Sequence, residues 1–275
     1  MTLLSRPYPI RHRLAIAIAT LALWTAITLF GAGLGNGHIR LEQLATSGIA
    51  WQVLLASLLL VCVMSWAGWR DLGFRAPASA TLRVLWLPGL FILLLFLWAV
   101  FLGLPAPGVM MMVLANTLLV GFSEEVMFRG VLFRAINLRL RIWPAIIWTS
   151  ASFGLVHVLN GFLTGSFGTA FIQAIAAACT GLLLVAILLR TGSLWVAIVF
   201  HALWDWVCFL VVLGAQSIAN DHTAGGATAA GPARLLVPFL IVLPNLLWGL
   251  WLLRGIGKGS AADRFSTSDA AASGV

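Results

Sequence analysis

The sequence predicts an all-α, polytopic transmembrane helix bundle of about eight transmembrane helices, and two observations predict it. Only 9% of the 275 residues are charged and 61% are hydrophobic, with a mean hydropathy of +1.05. A soluble domain carries about 25% charged residues, so water is not the solvent for most of this surface. The apolar residues also fall in unbroken runs near the roughly 20 residues that a helix needs to cross a bilayer. A barrel would show alternating segments of about ten residues instead. In a bilayer every backbone polar group is satisfied within helices or a closed barrel, and the run lengths select helices.

Taken in order, the spans are Leu14–Leu34, Ile49–Trp69, Val84–Leu104, Val109–Leu132, Ile142–Asn160, Gly168–Leu189, Ser193–Gln216 and Leu235–Leu253. The first follows Arg6, Arg11 and Arg13, as a secretory signal would. Its apolar stretch exceeds the 7–15 residues or so of a signal core and reads as a retained helix. Pro105, Pro107 and Pro144 mark helix starts, whereas Pro88, Pro238 and Pro244 lie inside spans and kink them.

Charge at the loops tests this count. With eight spans, all but Arg40 and Arg234 of the 16 basic residues fall on one side, Arg129 among them. By the positive-inside rule both termini are then cytoplasmic. Trp69, Trp143, Trp195 and Trp251 sit beside these basic ends as interfacial anchors. The net charge of +8 therefore reads as orientation and lipid contact rather than as a nucleic-acid surface. Cys62, Cys179 and Cys208 lie within apolar runs and imply no disulfide framework; they read as small buried apolar residues.

Four segments follow: three N-terminal spans (1–108), a core of helices (109–215), an external loop with the last span (216–254) and a disordered cytoplasmic tail (255–275). The external loop is the Ala/Gly-rich stretch Asn220–Ala233. No internal repeat supports an inverted-repeat transporter.

The chemistry is carried by ionisable residues inside spans. Five of the eight acidic residues lie in loops or the tail, but Glu124, Glu125 and Asp205 do not. Each such group costs about 2.5–3.5 kcal/mol on insertion scales, a cost that calls for a function. His157 closes the fifth span and His201 lies within the seventh, whereas His12, His38 and His222 read as solvated. Glu125 and Arg129 are one helical turn apart, as are Phe153 and His157, and His201 and Asp205. Glu124 points about 100° round from Glu125, so one glutamate can pair with Arg129 while the other meets a different partner. At about 1.5 Å per residue the glutamates, histidines and aspartate all lie roughly 16–25 Å deep. Convergence in one pocket is the economical reading. A carboxylate withdrawn from bulk water is a better proton acceptor, suited to general-base work.

Three motifs now stand in order on successive spans: Glu124-Glu125-Val-Met-Phe-Arg129, Phe153-Gly-Leu-Val-His157 and His201-Ala-Leu-Trp-Asp205. Together they resemble the CAAX protease and bacteriocin-processing (Abi) family of intramembrane endopeptidases, which includes the type II CAAX prenyl endopeptidases. The resemblance covers roughly Val109 to Leu210. It implies peptide-bond hydrolysis within the membrane, with Glu124 and His157 activating a water. It further implies that His201 and Asp205 stabilise the oxyanion, with Glu125, Arg129 and Phe153 in support. Many members carry Asn where this chain has Asp205. An ionised Asp cannot donate to an oxyanion; it does so only when protonated, or it orients His201 instead.

The glutamate-activated water needs no cofactor. If a divalent metal such as zinc is used, its ligands are Glu124, His157 and His201. The expected partners are the lipid bilayer and a membrane-embedded or membrane-associated peptide or protein, with no nucleic acid. A prenylated CAAX tail is the eukaryotic-type substrate and is not expected in a bacterium; leader peptides of secreted peptides and membrane-protein tails are equally open. The Arg-rich chain with its single Lys258 points to a bacterial cell membrane, inner or plasma, crossed many times. The competing readings are an ion- or proton-coupled transporter using the same cluster as a relay, and a catalytically silent scaffold or immunity protein.

Overall fold

The structure is a computed structural model and describes residues 12–34, 37–222 and 233–257, with the side chains of 220–222 and 233–236 left aside. It is helical, with no strand among the described residues. In chain order the helices are α1 (Arg13–Gly31), α2 (Leu41–Thr46), α3 (Trp51–Ala67), α4 (Thr81–Leu102), α5 (Pro107–Glu125), α6 (Phe133–Asn137), α7 (Ile142–Val158), α8 (Asn160–Thr164), α9 (Phe167–Thr191), α10 (Leu194–His222) and α11 (Ala233–Leu252). A π-helical segment, Val126–Leu132, joins α5 to α6 without a break.

Among the described residues, six stretches are long and apolar enough to cross a membrane: Arg13–Gly31, Thr81–Leu102, Pro107–Asn137, Ile142–Thr164, Phe167–Thr191 and Leu194–Ala219. The other two expected spans are shorter apolar helices, Trp51–Ala67 and Val237–Leu252. The chain is a multi-pass membrane bundle, and each of the eight expected spans falls on a helix. Hydropathy windows locate apolar residues but not helix ends, so flanking loop residues lengthened the second span, whose helix runs Trp51–Ala67. The same blindness hid α2 and ended the seventh span early, since α10 continues through Asn220 to His222. The remainder of the expected external loop and most of the expected tail lie outside the described residues, as do the terminal residues on which the orientation reading rests.

Helix ends meet in two polar clusters. At one end, Arg13 donates to both Asp71 carboxylate oxygens at 2.7 and 2.8 Å and stacks over Trp69. Arg75 donates to the Gly192 carbonyl, Arg190 to the Leu252 and Arg254 carbonyls, and the Trp143 indole to Ile256. Basic residues thus gather where the loop-charge pattern groups them. Arg129 is the exception: it is wholly buried, because Glu125 four residues earlier pairs with it. At the other end, Asn116 donates to the Ala45 and Gly48 carbonyls and accepts from Ala50, pinning the turn that connects α2 and α3. Gln216 donates to Glu42 at 2.6 Å beside it.

Between the ends, α9 packs on α7, α10 and α11, α10 packs on α4 and α5, and α1 packs on α3. The core gathers the π segment with Leu183–Leu188 and the first turns of α10. Large apolar side chains such as Leu82, Phe101 and Leu155 face outward, as a lipid-facing surface requires. Cys62 is also exposed and Cys179 and Cys208 half-buried, all unbridged, which corrects the reading of all three as buried. Cys62 sits on the outer face of α3, where no other helix among the described residues covers it.

Two glycines set the spacing of the helices that matter. A Cβ on Gly121 would fall 2.9 Å from the Ile198 carbonyl oxygen, and one on Gly154 would strike the Ala174 carbonyl and Ala178. Their bare backbones let α5 approach α10 and α7 approach α9, which is how small residues work at membrane helix interfaces.

Candidate active site

Glu124 and Glu125 end α5, Arg129 lies in the π segment, Phe153 and His157 lie on α7, and His201 and Asp205 on α10. The structure brings all seven into one connected cluster. Glu125 is completely buried and one of its oxygens, Oε1, takes two contacts: Arg129 Nη1 at 3.0 Å and His201 Nδ1 at 2.8 Å. The guanidinium reaches on to the Gly181 carbonyl at 3.4 Å and lies 4.2 Å over the Phe153 ring. A Cβ on Gly181 would come within 3.3 Å of both Arg129 and Phe153, so the glycine forms the slot that receives them. Phe153 packs edge-on against Phe128, His157 and His201 and fixes the positions of both imidazoles.

Neighbouring Glu124 faces the other way. Its side chain is 17% exposed and opens into a cavity of ≈ 210 Å³ that His157 and Asp205 also line. His157 Nδ1–H donates to the Phe153 carbonyl at 2.7 Å, which leaves Nε2 as the acceptor nitrogen of that ring. His201 is not part of the cavity wall. It stands behind it, with Nε2 3.4 Å from Asp205 Oδ2 and 3.7 Å from Glu124 Oε2. With Glu125 on Nδ1 and two carboxylates facing Nε2, the form that satisfies every contact is the imidazolium, which carries an N–H on each side.

A metal held by Glu124, His157 and His201 does not fit this arrangement. Among the described residues no three His, Cys, Asp or Glu side chains converge as a metal site requires. Both His201 nitrogens face carboxylate oxygens, and in the imidazolium form that satisfies these contacts the ring has no lone pair to offer.

The sequence reading missed the cavity's remaining walls. Trp24, Thr25 and Thr28 of α1, Leu44 of α2 and Gln52 of α3 line it, although none belongs to the motifs. Trp24 also donates its indole N–H to Ser123 Oγ at 2.8 Å, beside Glu124. Asn116, Asn160 and Gln173 line it too. These amides lie within spans, where a neutral polar group, like a buried charge, is a signal readable from the sequence.

The fold and the cluster define a multi-pass membrane protein with a carboxylate–imidazole centre enclosed by its helices. Residues 106–207 match the family model described as Type II CAAX prenyl endopeptidase Rce1-like. All three motifs fall inside that segment, which is similar to that family, in agreement with the resemblance seen in the sequence. Neither a curated protein nor a solved structure matches the chain.

Proposed function

We propose that this chain is a CAAX-type intramembrane endopeptidase that hydrolyses a peptide bond in a membrane-embedded or membrane-associated peptide by a Glu124- and His157-activated water. The observation that carries this reading is the opposite placement of two adjacent glutamates. Glu124 shares an accessible cavity with His157, whereas Glu125 is sealed behind it as the anchor for Arg129 and His201.

In this mechanism a water between Glu124 and the Nε2 of His157 loses its proton to the carboxylate as its oxygen attacks the scissile carbonyl. The tetrahedral intermediate collapses with cleavage of the C–N bond, and the same proton passes to the departing amine. The His201 imidazolium sits one layer back. Its charge lowers the energy of the oxyanion through the field it places across a water-poor pocket. It also holds Glu124 and Asp205 at the wall. Asp205 thereby serves as a partner of His201 rather than as an oxyanion donor, because an ionised carboxylate has no hydrogen to give. No step requires a metal. The Arg-rich, Lys-poor composition supports a bacterial cell membrane as its location.

The test uses the purified full chain in detergent with internally quenched peptides, some ending in a prenylated cysteine motif and others of leader type. Cleavage is expected, at a bond fixed by mass spectrometry, and is lost in Glu124→Gln and His157→Ala. Proton flux into liposomes without any cleavage would overturn the reading in favour of a transporter.

A further inference from the structure

Two neutral amides stand in the cavity wall one turn beyond His157. Asn160, at the break between α7 and α8, donates through Nδ2 to Oε1 of Gln173 on α9 at 3.0 Å, and both residues line the same cavity as Glu124. That single bond uses one hydrogen and one lone pair. Each carboxamide carries two donor hydrogens and an acceptor oxygen. Joined this way, the pair still offers an acceptor on one residue and an NH2 donor on the other, and it does so whichever way the two amides are turned. As interhelical glue the pair is overbuilt, since one hydroxyl would tie α7 to α9. Unused polar groups in an apolar bundle carry a cost unless something else satisfies them.

An acceptor and a donor side by side are what the edge of an extended main chain presents to a neighbouring strand. We infer that Asn160 and Gln173 form a main-chain clamp that binds an extended peptide segment of the substrate through one backbone N–H and one backbone C=O, beside the bond offered to Glu124. The inference deepens the protease reading and rests on it. It assigns the class of ligand as unfolded, strand-like peptide, selected by backbone rather than by side chain. A helical segment cannot use the clamp, because its N–H and C=O groups are already paired within the helix. Substrates must therefore unwind or already be extended at the cleaved bond.

Binding can be read without turnover by fluorescence anisotropy of labelled, prenylated and leader-type peptides on the Glu124→Gln background. Replacing the amide nearest the cleaved bond by an ester removes one N–H donor. The ester peptide is expected to bind that protein about tenfold more weakly than the amide; adding Asn160→Ala, which removes the acceptor Oδ1, should erase the difference, whereas Gln173→Ala, which removes the donor to the peptide C=O, should weaken amide and ester alike. In the active enzyme the same changes should raise KM by about tenfold with kcat altered less. Should an alanine variant fail to fold, Gln173→Glu keeps the shape while removing the donor, and the same loss is expected. Equal discrimination between amide and ester with and without Asn160→Ala overturns the clamp. So does a fall in melting temperature with affinity unchanged, which is what mere glue would give, and so does failure of every peptide to bind. Binding without Glu124-dependent cleavage sinks the protease reading and leaves the clamp standing; cleavage with KM unmoved in the variants does the reverse.

Discussion

His201 Nδ1 lies 2.8 Å from Glu125 Oε1, the same oxygen that Arg129 grips at 3.0 Å. One carboxylate oxygen therefore joins α10 to the π segment through two cationic donors, while the second oxygen, Oε2, has no hydrogen-bond partner. The joint is fully buried, so its parts are worth far more together than apart.

Removing one member should accordingly be severe. Glu125→Gln or Arg129→Met strands a buried charge, at a cost of about 3–5 kcal/mol. The double variant should be much less destabilised than the two losses added together, because no lone charge is left behind. Thermal unfolding of the four proteins in one detergent closes the cycle. Simple additivity would mean the pair is not coupled as described.

Asp205→Asn should keep cleavage within about tenfold of wild type. The amide oxygen can still accept from His201 Nε2–H across the present 3.4 Å separation. Asp205→Ala removes that partner and should lower kcat by about a hundredfold, a typical share for a group that places an acid or base. Steady-state kinetics on one quenched peptide separates the two.

Asp71 supplies a pH test away from the membrane interior. Burial pushes its carboxyl upward, but hydrogen bonding and charge from Arg13, aided by the charge of Arg134, outweigh this and hold it below its ordinary 3.8. The pair's contribution is thus complete above the unfolded value and disappears as pH falls through the lowered folded one. At pH 7 Asp71→Asn should lose about 1 kcal/mol. The gap to wild type should close below pH 3.8, as the native carboxyl also becomes neutral. Unfolding curves across that range check the sign.

Gly121→Val should part α5 from α10, since even a Cβ meets the Ile198 carbonyl oxygen at 2.9 Å. Overpacking of this kind costs about 1–3 kcal/mol. Activity should fall further than stability, because Glu124 moves away from His201 and Asp205. Comparing the loss of kcat with the loss of melting temperature in the same preparation tests this.

Much of the site was legible because a charge in an apolar span is conspicuous. Glu124, Glu125, His157, His201 and Asp205 announced themselves by depth, and helical spacing separated the Arg129 partner from the cavity-facing glutamate. The π segment was not legible: apart from Arg129, nothing in Val126–Leu132 departs from an ordinary apolar helix. Nor could spacing along single helices foretell that His201 would stand behind the wall rather than in it. That depends on how close α5 and α10 come at Gly121, a relation between distant segments. The N-terminal helices escaped for a related reason. Trp24 and Gln52 are unexceptional within their own helices and matter only through what lies opposite.

The N-terminal wall of the cavity has a consequence for how such a protein can diversify. The reacting groups all sit between 106 and 207, the stretch that matches the family model, yet Trp24, Thr28, Leu44 and Gln52 lie outside it. Part of the cavity's wall is thus written outside the stretch that carries the motifs. Exchanging the leading third for that of a relative reshapes that wall while leaving Glu124, His157 and His201 in place, much as a new jig alters the workpiece without altering the blade.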